Sequence, residues 1–228
     1  MPISTCVFDA YGTLFDVAAA ARAEAERAGP GRFSQHWPRI AEDWRRKQLE
    51  YSWLRAIAGH HCTFWEVTQD ALDWALEAAG FDDPDLRQRL MELYRVLDCY
   101  PEVPQMLRQL RLRGMRTAIL SNGSPDMLDS AVASAGIGDL LDDVLSVESV
   151  QIFKPAAAVY DLVGTRFGCA AADVLFVSSN GWDAAAASAY GFHTVWVNRR
   201  QEPVDRLFGR PDAILPELSG IPELEVLS

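Results

Sequence analysis

The sequence predicts an α/β protein: a doubly wound, Rossmann-like parallel sheet with a helical cap subdomain inserted into its first crossover. Three features point to it. Apolar runs of strand length recur along the chain, helical stretches closed by glycine separate the later ones, and the connection after the first run far exceeds a βα crossover.

The first run, residues 3–8, ends in the lone carboxylate Asp9 and a turn at Gly12. It reads as a strand delivering an acid to the rim where its loop begins, the usual place of chemistry in open α/β sheets. Roughly eighty residues then precede the first helix needed for a crossover. They read as helices over 17–28, ended by Gly29-Pro30-Gly31, over 38–58, ended by Gly59, over 63–79, ended by Gly80, and over 84–97. Thr63-x-x-Glu66 has the form of a capping box, and Asp83-Pro84 supplies an N-cap with proline in the first turn. Strand and helix alternate after that. Helices are expected over 103–113, 126–135 and 156–167, closed by Gly114, Gly136 and Gly168, with strands over 116–120, 144–147, 174–177 and 193–197. The Ala184 to Ala187 run suits a tightly packed helix. Residues 1–16 and 98–228 are thus expected to form the core domain and 17–97 the cap.

With 228 residues, 49% of them apolar, the chain can bury one sizeable core and a small accessory unit. A formal net charge of -11 argues against a nucleic-acid partner, whose phosphates such a surface repels. The four cysteines, Cys6, Cys62, Cys99 and Cys169, show no metal spacing and suit reduced thiols in a cytoplasmic protein. No apolar run reaches the roughly 18 residues needed to span a bilayer, and no leader pattern precedes the first strand, so a soluble, unexported protein without a membrane partner is expected.

Four polar clusters fall at or just beyond predicted strand ends: Asp9 with Thr13, Ser121-Asn122-Gly123-Ser124, Lys154-Pro155, and Ser178-Ser179-Asn180-Gly181-Trp182-Asp183. In a parallel sheet all four meet on one rim. Each alone is also compatible with a turn, a cap or a solvated lysine; their joint occurrence in this order is more specific. An enzyme expelling an alkoxide needs a proton donor beside its nucleophile, and the position two residues after Asp9 holds Tyr11 rather than an acid. A leaving group that departs without a proton fits better.

Phe8-Asp9-Ala10-Tyr11-Gly12-Thr13-Leu14-Phe15-Asp16, Leu120-Ser121-Asn122-Gly123, Phe153-Lys154-Pro155 and residues 176–183 together resemble the haloacid dehalogenase superfamily. The stretch from Trp44 to Arg55 is similar to a cap-helix signature of its L-2-haloacid dehalogenases (the type II enzymes). The resemblance covers nearly the whole chain and is weakest over 29–38 and beyond Arg199. Phosphatases of that superfamily carry an acid where Tyr11 stands and an acidic metal ligand where Ser179 stands. Without both, a Mg²⁺ site has too few hard oxygen ligands, so no metal and no other cofactor is expected.

The resemblance implies roles position by position. Asp9 would attack C2 of a small 2-halocarboxylate, giving an aspartyl ester, inverted configuration and free halide. Lys154, with Thr13 and Ser178 nearby, would hold Asp9 ionised and oriented. Ser121 and the backbone N–H groups of Ala10 and Tyr11 would hold the substrate carboxylate. Arg45, Asn122, Phe64 and Trp182 would cradle the halide, the aromatic walls strengthening the anion's interaction by excluding water. Asp183, supported by Asn180, would position the water that cleaves the ester; a helix-capping role competes. Tyr11 and Tyr160 would line or order the pocket, Tyr160 equally suiting core packing. Trp44, Trp53, Trp65 and Trp74 read as core or subunit interface, and the family implies a homodimer. His36, His60 and His61 read as surface residues and His193 as structural. The expected activity is metal-independent hydrolysis of L-2-haloalkanoic acids to D-2-hydroxy acids. A phosphatase of the same fold, a ring-opening hydrolase of a cyclic imino acid and a non-catalytic binder of small carboxylates remain open.

Overall fold

The computed structural model describes residues 3–227; Met1, Pro2 and Ser228, which fall in the expected core segments, lie outside them. Six strands, β1 (Thr5–Phe8), β2 (Arg116–Ser121), β3 (Asp143–Ser146), β4 (Val174–Ser178), β5 (His193–Val197) and β6 (Ala213–Leu215), form one sheet in the order β3-β2-β1-β4-β5-β6. Every pairing is parallel. The sequence of β1, Thr-Cys-Val-Phe, is buried at every position, as expected of a strand covered on both faces. The chain leaves β1 for β2 and β3 on one side and returns to β4 on the other, so the strand order reverses beside β1. Such a switch point opens a crevice at the strands' carboxyl ends, and Asp9 is the first residue past β1.

Helices α1 (Ala19–Ala28), α2 (Arg32–Ala58), α3 (Phe64–Ala78) and α4 (Pro84–Arg95) fill the long first connection, followed by the crossover helix α5 (Val103–Leu112). Beyond β2 come α6 (Pro125–Ala135), α7 (Ala157–Phe167) and α8 (Gly181–Tyr190). The capping box at Thr63 forms as expected: Thr63 Oγ1 accepts from Glu66 N at 3.2 Å and Glu66 Oε2 accepts from Thr63 N at 2.9 Å. Asp83 caps α4 through Leu86 N at 2.9 Å.

Two elements differ from the sequence reading. Helix α2 begins at Arg32, more than a turn before the expected start, with Pro38 inside it. Proline there forfeits the bond to the Ser34 carbonyl, at a cost of about 3 kcal/mol. Burial of Phe33, edge-on to Phe81 at 5.8 Å, offsets that cost. Strand β6 is three residues long and lies on the sheet edge, too short to show a pattern of its own. No helix among the described residues is long and apolar enough to cross a membrane, and all four cysteines are unbridged.

Candidate active site

The rim expected from sequence assembles around Asp9. Its Oδ2 accepts from Thr13 Oγ1 at 2.9 Å and from Asn180 Nδ2 at 3.0 Å, while Oδ1 accepts from Lys154 Nζ at 3.1 Å. Three donors, one of them cationic, fix the carboxylate's orientation. Thr13 reaches Asp9 because the chain turns at Gly12, whose φ of 89° lies in the left-handed region. A Cβ there would also press on Ser179 Oγ at 3.3 Å.

Lys154 is 1% exposed and sits between two carboxylates, its Nζ donating to Asp183 Oδ2 at 2.9 Å as well as to Asp9. Burial alone would lower its pKa, yet Asp183 and Asp9 together outweigh that and hold it above the usual lysine value. Asp183 is fully buried and its pKa is raised, chiefly by desolvation, against the pull of Lys154 and with a push from Asp9. Its Oδ1 accepts from Tyr160 at 2.7 Å. Lys154 N donates to Asn122 Oδ1 at 2.9 Å, which ties the lysine loop to the end of β2.

The expected cap arginine arrives from α2. Arg45 Nη2 donates to Tyr11 O at 3.0 Å and to Asn180 Oδ1 at 3.2 Å. Asn180 therefore bridges the two groups: its amide nitrogen holds Asp9 and its oxygen holds Arg45. A small cavity lies between them, walled by Asp9, Tyr11, Arg45, Phe64, Ser121, Asn122, Lys154, Asn180 and Trp182. Two buried polar atoms on these residues, Tyr11 OH and Trp182 Nε1, have no hydrogen-bond partner among the described residues. Nor does any described residue accept from the Ala10 or Tyr11 N–H. Such orphan donors call for an explanation, and an anionic ligand in the cavity would supply one.

Some expected residues stand behind the cavity rather than on it. Tyr160, expected to line or order the pocket or to pack in the core, does not line it: α7 carries it against Phe176 and Phe192, and its hydroxyl donates to Asp183. Ser178 is also buried behind the wall, where its Oγ accepts from Asn180 N at 3.1 Å. Asp183 is absent from the wall, both of its oxygens being bonded to Lys154 and Tyr160. Ser121 Oγ accepts from Gly123 N at 3.0 Å and shapes the turn after β2.

The structure gives roles to residues, some of them inside the Trp44 to Arg55 stretch, to which the sequence assigned none at the site. Leu49 lines the cavity one helical turn after Arg45, and that i,i+4 spacing was the available signal. Gln48 accepts from Arg45 Nη1 at 3.4 Å and donates to Thr68 Oγ1 and Tyr94 OH at 2.8 and 3.1 Å. Trp44 is core as expected, its Nε1 bonded to Thr68 O at 2.9 Å, and Trp53 packs edge-on against Trp182. His61 is not a free surface residue, since its Nε2 lies 3.0 Å from Glu148 Oε2.

A family model described as haloacid dehalogenase-like hydrolase matches residues 3–191. The chain is 41% identical over 224 residues to (S)-2-haloacid dehalogenase 1 of Pseudomonas sp. (strain CBS-3), covering 98% of this chain and 96% of that one. It is 39% identical over 223 residues to haloacetate dehalogenase H-2 of Moraxella sp. (strain B), covering 97% of each. The solved structure of L-2-haloacid dehalogenase from Xanthobacter autotrophicus with chloropropionic acid covalently bound superposes with a TM-score of 0.85. Its sequence identity is 39%, over 97% of this chain and 98% of that one.

Proposed function

The chain belongs to the haloacid dehalogenase-like hydrolases, and from that premise we propose that it hydrolyses L-2-haloalkanoic acids to D-2-hydroxy acids and halide through an ester on Asp9. The observation that carries this reading is the chain of bonds from Lys154 to Asp9 to Asn180 to Arg45. It puts an oriented carboxylate on one side of a small cavity and a guanidinium on the other.

Asp9 Oδ1 has one donor and Oδ2 two, so Oδ1 is the less encumbered oxygen and makes the attack. It forms a bond to C2 as the carbon–halogen bond breaks, and the halide leaves with the electron pair. Halide is the conjugate base of a strong acid and needs no proton, which suits Tyr11 at the position where an acid would assist an alkoxide. Arg45 and the unpartnered Trp182 Nε1 face the developing anion, and Phe64 and Trp182 exclude water from it. The substrate carboxylate is held by Ser121 and by the open N–H groups of Ala10 and Tyr11.

Ester formation removes the charge on Asp9. Thr13 and Asn180, at 2.9 and 3.0 Å from Oδ2, then polarise the ester carbonyl and stabilise the oxyanion formed when water adds to it. Lys154, which lines the cavity, passes a proton to Asp183, made more basic by burial, and takes one from that water in its place; Asp183 gives the proton up to solvent when the turnover ends. The remaining proton of the tetrahedral adduct goes to the departing alkoxide, and Asp9 is regenerated carrying one oxygen from water. Tyr160 and Ser178 act as positioning residues, on Asp183 and on Asn180.

In this reading residues 17–97 are the cap and residues 1–16 with 98–228 the core. The protein works as a homodimer: Leu54 and Ile57 on α2 are 55% and 84% exposed, an apolar edge that a second copy would cover. Unbridged thiols support a cytoplasmic location.

The test is chloride release from (S)-2-chloropropionate in the presence of a chelator, with a single turnover in ¹⁸O-water. Label on Asp9 and D-lactate as product are expected. Label entering the released alcohol directly would refute the ester. Cleavage of an aryl phosphate on adding Mg²⁺, with no halide released, would favour the phosphatase.

A further inference from the structure

The first turn of α3 is held from outside the insert. Thr63 takes the amide of Glu66, but the two amides before it go to residues from distant segments. Glu148 Oε1 accepts from Phe64 N at 3.2 Å, and Ser124 Oγ accepts from Trp65 N at 3.3 Å. Ser124 occupies the N-cap position of α6, where a serine ordinarily bonds its own helix. It makes no such bond. Its hydroxyl is turned instead toward α3 and donates to Glu148 Oε1 at 3.2 Å.

Glu148 gathers further partners. Its Oε2 pairs with His61 Nε2 at 3.0 Å, and the His61 ring packs on Phe153, the neighbour of Lys154, at 4.9 Å. Its backbone N donates to Ser146 Oγ, which donates in turn to Gly123 O at 2.7 Å. One carboxylate thus connects the helix that carries Phe64 to the loop that carries Asn122, and these residues line the cavity from opposite sides of the first crossover. A negative charge at a helix N-terminus is also favoured by the helix dipole.

We infer that Glu148 is a positioning residue that fastens the cap over Asp9 by capping α3 from the core, with Ser124 as its second acceptor. It touches neither substrate nor halide. Its effect on rate comes through Phe64, and for that readout alone the inference rests on the dehalogenase reading.

The experiment compares wild type with Glu148→Ala, Glu148→Gln and Ser124→Ala. It measures kcat and KM for 2-chloro- and 2-bromopropionate, and backbone hydrogen exchange over residues 60–70. Removing the acceptor of a charge-assisted bond changes an equilibrium by about tenfold or more. Glu148→Ala is therefore expected to speed exchange at Phe64 and Trp65 about tenfold and to lower kcat/KM for the chloro acid by a similar factor. The bromo acid, with its better leaving group, should suffer less. Glu148→Gln keeps an oxygen for the Phe64 amide and should recover most of both losses, and Ser124→Ala should act in the same direction more weakly. Unchanged exchange at residues 60–70 in Glu148→Ala overturns the inference. So does an equal loss for both halides with exchange raised throughout the chain, the sign of general destabilisation. If wild type releases no halide from either acid, the dehalogenase reading fails; accelerated exchange confined to residues 60–70 then still upholds the fastening, and its absence refutes it.

Discussion

Replacing Lys154 with methionine removes the ammonium that lies between Asp9 and Asp183 and leaves two carboxylates in one buried site. In the wild type that ammonium is 3.1 Å from Asp9 Oδ1 and 2.9 Å from Asp183 Oδ2. At an effective dielectric of about 20 each pairing is worth roughly 5 kcal/mol of Coulomb attraction, and the two together are comparable to the whole net stability of a domain. The molecule has a cheaper escape. Asp183, whose pKa burial already raises, can take up a proton and remove the repulsion. For a carboxyl with an ordinary pKa near 3.9, that uptake costs about 4 kcal/mol at pH 7 and about 1.5 kcal/mol at pH 5. The variant's destabilisation is therefore capped near 4 kcal/mol at neutral pH, within the range of about 3–5 kcal/mol for broken buried pairs. Its sign with pH follows from linkage. The folded variant binds a proton that the unfolded chain has released, so stability falls by about 1.4 kcal/mol per unit as pH rises above about 4, until the folded carboxyl itself ionises. Urea unfolding of wild type and Lys154→Met at pH 5, 6 and 7 measures the difference directly. A difference that stays flat over that range, or that is under about 1 kcal/mol at pH 7, would refute the argument that Lys154 neutralises a shared buried charge. Halide release should vanish at every pH, because protonation of Asp183 restores neither the orientation of Asp9 nor the base.

Asn180→Ala should lower kcat/KM by about 10- to 100-fold, the range for one bond to a charged group with a second bond removed beside it. Because Asn180 serves the ester carbonyl as well as Asp9, rapid-quench single turnovers should show the labelled ester accumulating; equal slowing of both steps would argue against the oxyanion role. Gly123→Ala would place a Cβ 2.7 Å from Tyr11 Cε2 and 3.0 Å from Leu128 Cδ2. Overpacking of that kind costs about 1–3 kcal/mol and pushes Tyr11 into the cavity, so calorimetry should show a lower thermal midpoint and kinetics a raised KM. A variant indistinguishable from wild type in both would mean that the Tyr11 ring is free to move aside.

Local pattern in the sequence was enough for much of the fold and part of the site. Apolar runs set five strands, glycines closed the helices, and Asp9, Ser121 and Ser178 were legible as rim residues because each follows or ends a strand in a parallel sheet, whereas Lys154 lies several residues beyond the end of β3. Strand β6 and the start of α2 were not legible, one being three edge residues and the other a helix that tolerates Pro38 through tertiary burial of Phe33. Which side chains meet across long separations was settled by tertiary packing alone. It sent Tyr160 to Asp183 instead of the cavity, joined Arg45 to Asp9 through Asn180, and brought Glu148 and Ser124 to the amides of α3. Such pairings join residues tens to more than a hundred positions apart, and no local preference favours one partner over another. They are selected only when packed elements leave a buried donor with a single acceptor within reach.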